Sequence, residues 1–343
     1  MYGVKGAPFR YKGAINVEDC KTSLDVMRKS GLDWEVSKCE LFARMPGREN
    51  DIGRSQGFLH GGDFFDSCPN AFATYRTDYN IPLGIVKERY TIVQNTEAFN
   101  FFDNAIGKDK AIWQTAGFFG NGERIFVSAK LPNNILVNGD PVENYLIFTT
   151  SHDGSSGVKI LFTPIRIVCQ NTLNAAIKNA SNYISFRHTS SVHRNIDIAT
   201  EILGICKERT EFLSEQYNAM NKIKMNDKQV QQAFADIVLT EDEQLSLKLT
   251  GHTIEQLVNK NWQAIDDSGI SMKKVNVLHE MNTYYNIGPG QKEIIGTAWG
   301  AYGAITGYYS NIDNSVGSKR MDSLLFGDKS RKIERAGNLL LAA

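Results

Sequence analysis

The sequence lacks a charge excess, a cysteine framework and a long apolar run, and each absence excludes a class of protein. Among its 343 residues, 38 Lys and Arg balance 38 Asp and Glu, which argues against a histone-like protein that holds a polyanion by bulk charge. Its five cysteines are widely spaced and include no C-x-x-C pair. A disulfide framework and a zinc knuckle are therefore not expected, and a reducing cytoplasm fits best.

Several targeting and cofactor motifs are also missing. No apolar run is long enough to span a bilayer, and the N-terminus has no apolar segment typical of a signal peptide. We therefore expect a soluble, cytoplasmic protein without a membrane partner. The chain has no Walker-type Gly-Lys-Ser/Thr, so we expect neither an ATPase nor a bound cofactor. Residues 117–122 read as a hairpin turn and not as a dinucleotide loop, because no helix follows them.

Turn residues at short intervals indicate a meander of antiparallel strands in the middle of the chain. Gly120-Asn121-Gly122-Glu123 separates strand-like segments at 112–119 and 124–131, and Asn138-Gly139-Asp140 forms a second turn. Asn and Gly accept positive φ at low cost, which is typical of hairpins. Asp153-Gly154-Ser155-Ser156 is a third turn. The other strands that we expect lie at 75–81, 83–93, 143–151 and 157–168.

Helical periodicity is found before, within and after this meander. Helices are expected at 14–31, 95–106 and 171–180, and a helix entry at Thr240, with Glu243 completing a capping box. Past residue 195 the expected elements are all helical: 196–225, 227–239, 253–267, 271–286 and 290–311. The sum predicts an α+β fold, in which a mostly antiparallel sheet with packed helices precedes a predominantly helical C-terminal region.

We divide the chain into three parts on this basis. Residues 1–70 carry the N-terminal helix and an irregular Gly-rich loop at 46–70, residues 71–195 the antiparallel α+β core, and residues 196–343 the helical region. The loop is long enough to suggest a functional or flexible segment.

The most informative local feature is a stretch without acids. Between residues 154 and 195 there is no Asp or Glu. A groove for single-stranded nucleic acid needs cations along the backbone and aromatic faces under the bases, and this stretch supplies both. The predicted binding residues are Lys159, Arg166, Lys178, Tyr183, Phe186, Arg187, His188 and Arg194. The alternative is that Arg166 and Arg187 pair with acids elsewhere in the fold and that the rest is a solvated face.

Two details bear on that hypothesis. Lys159 and Arg166 are seven residues apart, so a regular strand places them on opposite faces; Pro164 predicts either an edge position or a bulge that brings them together. Gln170, Asn171 and Thr172 close a strand and open a helix. They form either an anion site at a helix N-terminus or a plain cap by Asn171.

Acid–base or metal chemistry has few candidates. They are His152 with Asp153 at a strand end, and His188 with His193. Histidines five residues apart do not share a helical face, so no metal site is predicted. Asp153 heads a turn and is more simply a residue that bonds its own backbone.

Several motifs together resemble a known family. The most specific is Phe162-Thr163-Pro164-Ile165-Arg166-Ile167-Val168-Cys169-Gln170-Asn171-Thr172-Leu173; residues 151–156, Arg187-His188-Thr189 and Thr297-Ala298-Trp299-Gly300-Ala301-Tyr302 agree with it. They resemble the phage/plasmid-like proteins of the domain of unknown function DUF932, found in phages, prophages and plasmids. The family has no established catalytic set, so the resemblance implies a genomic context, with the host cytoplasm as location, and no mechanism.

Three functions follow as hypotheses. The first is a phage or mobile-element protein of DNA metabolism and recombination that binds single-stranded nucleic acid without ATP and, in the stronger form, anneals it as a homo-oligomer. At the level of fold only, phage annealing proteins share a sheet with packed helices. The second is a protein-binding host-takeover or anti-defence factor that uses the 46–70 loop and the helical region. The third is a cryptic hydrolase or nuclease with His152, Asp153 and His188; no catalytic residue is otherwise predicted.

Overall fold

A computed structural model describes the chain at residues 14–45, 57–60, 63–107, 110–131, 134–166, 171–172, 183–201, 203–313 and 322–343. Within them the strands are β1 (Ala14–Asn16), β2 (Val36–Met45), β3 (Phe58–His60), β4 (Asp63–Arg76), β5 (Ile81–Val86), β6 (Ile112–Phe119), β7 (Arg124–Lys130), β8 (Ile135–Val137), β9 (Asp140–Ser151), β10 (Val158–Arg166), β11 (Asn171–Thr172) and β12 (Tyr183–Phe186).

The helices follow the same order along the chain. They are α1 (Ser23–Ser30), α2 (Asn95–Ile106), α3 (Val192–Glu201), α4 (Leu203–Lys222), α5 (Asp227–Val238), α6 (Glu241–Leu249), α7 (Ile254–Val258), α8 (Trp262–Ser268), α9 (Met272–Ile287), α10 (Ala298–Gly307), a π-helix (Tyr308–Ile312) and α11 (Asp328–Leu341). The predicted α+β fold, with its helical C-terminal region, is confirmed.

The larger sheet is antiparallel throughout its described pairs. Its order is β1-β6-β7-β9-β10-β11, with β8 on β9 and β12 on β10. Alternation along each strand gives the sheet two apolar faces. One face packs against α2, where Phe99 and Phe102 meet Trp113 at ring distances of 5.8 and 5.3 Å. The other carries a smaller cluster that includes Phe126 and Leu161.

The hairpin predictions are confirmed. Strands β6 and β7 flank Gly120-Asn121-Gly122-Glu123, and β8 and β9 flank a turn in which Asn138 and Gly139 have φ of 49° and 84°. Both values are positive, as a tight hairpin turn requires. Helix α2 also begins and ends at the predicted residues.

Several segments differ from the prediction, in most cases because strand pairing overrides local pattern. The expected irregular loop at 46–70, for example, contains β3 and the start of β4. The expected helix at 14–31 contains only α1; Ala14 to Asn16 instead pair with Gly117 to Thr115 on β6. The expected strand at 83–93 ends at Val86. Asn171 and Thr172, expected to open a helix, pair with Arg166 and Ile165 as strand β11, while residues 173–180 lie outside the described part of the chain.

Within the described residues, Pro164 of β10 has a paired strand, β9, on one side only. The pairing of β10 with β9 runs from Lys159 to Arg166 without a register shift, so the expected bulge is not formed there. Leu131 N–H donates to Asn144 O, which turns the polar groups of Asn144 toward β7. The Asn144–Pro164 pair is therefore not hydrogen-bonded, and the proline nitrogen points away from β9. On the side away from β9, strand β12 pairs with residues 158–161 of β10 and strand β11 pairs with residues 165–166. Pro164 lies between these two paired segments.

The second sheet has the order β2-β4-β3, with β5 on β4, and meets the first sheet at the turn after β9. Thr74 Oγ1 donates to His152 O at 2.6 Å. Gly84 lies so close that a Cβ there would be 2.5 Å from the Cα of Asp153, so only glycine permits this approach.

The helices after β12 pack into the same core as the larger sheet. Asn218 of α4 donates to Leu136 O of β8 at 2.9 Å, and the main cluster contains residues from Val17 to Leu340. Helix α10 is buried at every residue; its Gly307 would place a Cβ 2.3 Å from the Tyr284 ring. The Thr240–Glu243 capping box is confirmed. The boundary near residue 195 stays a prediction.

Candidate nucleic-acid interface

Lys159, one of the cations that the sequence predicts to bind nucleic acid, lies on the second face of the larger sheet. Lys159 pairs with Thr149 on one side and with Ser185 on the other, and directly paired residues share a face. Leu161 and Tyr183 form the next such pair on this face. Lys159 therefore lies beside the small apolar cluster, near the β12 edge of the sheet.

The surroundings of Lys159 are aromatic. Its Nζ lies 4.5 Å from the ring centroid of Phe326 and 6.0 Å from that of Tyr183, and the two rings meet edge to face at 5.1 Å. Among the residues that the structure describes, Lys159 forms no ion pair. Burial lowers the pKa of Lys159, Asp322 opposes that effect and Arg124 adds to it. A half-buried cation over ring faces is well placed to attract an anion that enters the site.

A second cation, Arg124, stands at the start of β7. Its guanidinium forms an ion pair with Asp322 through Nη1, and its side chain is 17% exposed. Nη2 lies 3.5 Å from Ser155 Oγ, in the turn between β9 and β10. Strand β9 pairs with β7 on one side and β10 on the other, and this arrangement brings Arg124 and Lys159 to the same region. We call Arg124, Ser155, Lys159, Tyr183 and Phe326 the Arg124–Lys159 site.

Two further predicted cations are exposed, and one of them, Arg194, lies on α3, which packs with α2 on the opposite face of the sheet. Arg187 directly follows β12, two residues after Ser185, and Arg194 lies in α3; both are exposed, and neither forms an ion pair within the described ranges. His193 of α3, in contrast, pairs with Glu97 of α2. The described cations of the acid-free stretch are thus mostly without carboxylate partners.

Phe186 is partly buried and His188 is buried, and both contact the protein core. Phe186 pairs with Val158 and packs against the main core, on the face opposite Lys159. His188 stacks on Tyr90 at 4.5 Å, and its Nδ1 donates to Thr91 O at 2.9 Å. Its Nε2 then accepts from Thr150 Oγ1 at 3.1 Å. Burial lowers the pKa of His188. The contacts of both residues are with the core and not with an open surface.

For the remaining predicted binding residues the structure describes only the backbone or nothing. Lys178 and Gln170 lie outside the described residues. Arg166, Asn171 and Thr172 are placed by their backbone in β10 and β11. Because Asn171 and Thr172 are strand residues, an anion site at a helix that begins with them is not formed.

His152 and Asp153 are each committed to local structure. His152 is buried, and its Nε2 donates to Asn95 Oδ1 at 2.9 Å while the ring meets Trp34 edge to face. Burial lowers the pKa of His152 to about 3. Asp153 Oδ1 accepts from Ser155 N at 2.9 Å, which is the turn bond expected of it. Within the described ranges no group of His, Cys, Asp or Glu is arranged to hold a metal ion.

Sequence reasoning missed Arg124, Ser155, Asp322 and Phe326. The acid-free stretch begins at residue 154, so Arg124 and the residues of the C-terminal region lay outside it. Arg124 follows a turn that the sequence does identify. Its proximity to Lys159 depends on the strand order β7-β9-β10. Local sequence patterns do not predict which strands become neighbours in a sheet.

An open cleft of about 530 Å³ lies elsewhere, between the β8–β9 turn and residues 290–294. Its lining includes Asn138, Asp140, Lys292 and Glu293, which mix both charge signs. None of the predicted site residues lines it. In the part of the chain that is described, no helix combines the length and the apolarity needed to cross a membrane.

Comparison with known proteins gives one match. A family model described as "Domain of unknown function (DUF932)" matches residues 82–338, a range that contains all five residues of the Arg124–Lys159 site. Neither the curated proteins nor the solved structures include a significant match.

Proposed function

Because the chain belongs to the DUF932 family, a family defined without a function, we propose a function from the Arg124–Lys159 site. The protein binds single-stranded nucleic acid there, as a factor of phage or mobile-element DNA metabolism that acts without ATP. The observation that carries the proposal is Lys159, a half-buried cation without an ion pair in the described residues, between two aromatic rings and Arg124.

The first step is phosphate binding. The Lys159 ammonium is a point charge with three donors, and the Arg124 guanidinium is a planar fork that matches a phosphate. Ser155 supplies a hydroxyl next to Arg124. Three donors of different geometry around one place suit the oxygens of a phosphodiester.

The second step is stacking. Lys159 lies over the face of Phe326, so a phosphate that attracts the ammonium also uncovers the ring. Every nucleobase has a π-face, and stacking on an aromatic ring tolerates any sequence. Phosphate and base thus bind together, and this combination is available in a single strand, whose bases are unpaired.

The third step extends the contact beyond one nucleotide. Arg187, directly after β12, is exposed and carries no ion pair within the described ranges. It lies two residues after Ser185, the partner of Lys159, and offers a continuation for the phosphate backbone. Annealing and assembly into a homo-oligomer stay predictions of the same proposal.

We expect Lys159→Gln to weaken binding of a fluorescent oligo-dT and to flatten its salt dependence. For a single strand, removing one cation from the phosphate backbone reduces the slope of log K against log salt by about 0.7. The double variant Lys159→Gln/Arg187→Gln is expected to bind about 10-fold more weakly at low salt. Fluorescence anisotropy over a salt series measures both quantities.

The matched control is Lys273→Gln, which removes the same charge from an exposed position on α9. It is expected to leave affinity and slope close to those of the wild type. Absence of a complex with oligo-dT at low salt, or equally weakened binding in Lys159→Gln and Lys273→Gln, would overturn the proposal.

A further inference from the structure

The Arg124–Lys159 site is covered by a segment from much later in the chain. Asp322 forms the ion pair with Arg124, and Phe326 lies under Lys159. Between them, Leu325 is 1% exposed and belongs to the small cluster with Phe126 and Leu161. The Phe326 amide donates to Asp322 O at 2.9 Å, so residues 322–326 form one compact turn. We call it the 322–326 strap.

The chemistry of the strap imitates that of the ligand. A carboxylate, like a phosphate, offers Arg two oxygens in one plane, and Asp322 occupies the guanidinium that the proposed function assigns to phosphate. The Phe326 ring faces the Lys159 ammonium, so its face is covered as long as that contact persists. The Arg124 guanidinium, which would bind the phosphate, is therefore occupied by the strap. The Phe326 ring, which would stack on the base, belongs to the strap.

We infer that the 322–326 strap is an autoinhibitory contact: its Asp322 carboxylate holds Arg124 in place of a ligand phosphate and is displaced when single-stranded nucleic acid binds. This inference rests on the proposed function. The ion pair is accessible enough to exchange, because the Asp322 side chain is 40% exposed. The buried Leu325 keeps the released carboxylate close, so the strap returns when the ligand leaves.

The test compares Asp322→Asn with Asp328→Asn. Asp328 pairs with Arg331 and Lys332 on the exposed surface of α11, so its change removes the same charge without touching the strap. If the closed strap limits the competent fraction, its release raises apparent affinity by the same factor. We expect Asp322→Asn to bind oligo-dT about three- to tenfold more tightly than Asp328→Asn does.

Hydrogen exchange of the strap distinguishes displacement from a general charge effect. Displacement predicts faster exchange of the 322–326 amides in the wild type when oligo-dT is added, whereas a fixed wall of the site predicts slower exchange. Slower exchange, or equal affinities of the two variants, would contradict autoinhibition by the strap. Neither result would contradict the proposed function. If the wild type forms no complex with oligo-dT at low salt, the proposed function fails and the strap, which rests on it, fails with it.

Discussion

Replacing Arg76 by alanine is expected to lower the free energy of unfolding by about 2–3 kcal/mol, because it removes a nearly buried guanidinium with its hydrogen bonds, whereas its partner Asp78 is 32% exposed. Arg76 is 7% exposed. Its Nε and Nη2 donate to Asp78 at 3.0 and 2.6 Å, and its Nη1 donates to Asn121 O at 2.9 Å. The guanidinium also lies 4.3 Å from the ring centroid of Trp34.

These contacts join the two sheets near the Arg124–Lys159 site. Arg76 ends β4, whereas Asn121 lies in the turn that leads into Arg124. The alanine variant leaves the Asn121 carbonyl without this donor and Asp78 without its cation. Arg76→Lys keeps the charge but not the planar fork, so an intermediate destabilisation is expected.

Urea unfolding followed by circular dichroism measures the effect, and Arg44→Ala is the matched control. Arg44 pairs with Asp63 on the same sheet, but its side chain is 69% exposed, and exposed pairs contribute at most about 1 kcal/mol. Equal destabilisation in Arg76→Ala and Arg44→Ala would show that Arg76 does not hold the sheets together.

Acid is expected to destabilise the protein well above the pH at which carboxylates titrate. Burial lowers the pKa of His152 to about 3 and also lowers the pKa of His188. The unfolded chain, with an ordinary His pKa near 6.5, therefore binds more protons than the folded chain between pH 6.5 and 3. For His152 this stability is fully present above pH 6.5 and falls by about 1.4 kcal/mol per pH unit as the pH is lowered toward 3, and His188 acts in the same direction.

Between pH 6 and 5 the change in unfolding free energy comes mainly from the histidines. Carboxylates with a lowered pKa, such as Asp78 and Glu243, change the unfolding free energy only at lower pH. His152→Gln keeps a donor for Asn95 and removes one titrating group, so the slope of unfolding free energy against pH is expected to fall by about 1.4 kcal/mol per pH unit. His60→Gln, at an exposed position on β3, serves as control. A slope unchanged by His152→Gln contradicts the prediction.

The features that the sequence predicts well are local. The hairpin at Gly120–Glu123, the turn at Asn138 and Gly139, helix α2 and the Thr240 capping box each depend on residues within a few positions of one another. Nothing distant is needed to form them, so the pattern is sufficient. Lys159 is singled out by a local pattern as well, the continuous acid-free stretch, and its role in binding stays a prediction.

The features that the sequence predicts poorly depend on pairing. Asn171 has the side chain of a good helix cap, yet cross-strand bonding to Arg166 makes it a strand residue. Ala14 to Asn16 continue a helical period but complete the edge of the sheet on β6. The Arg124–Lys159 site depends on pairing as well, since its members lie on β7, β10, β12, the turn before β10 and a segment after residue 321.

The position of Leu325 has a consequence for biosynthesis. Leu325 fills the small cluster with Phe126 and Leu161, although almost two hundred residues separate it from Phe126. Ribosomes add roughly 5–20 residues per second, so the sheet waits on the order of ten seconds or more for the side chain that covers it. During that interval an apolar surface stays uncovered on the nascent chain, and we expect chaperones to bind it until Leu325 has emerged from the ribosome.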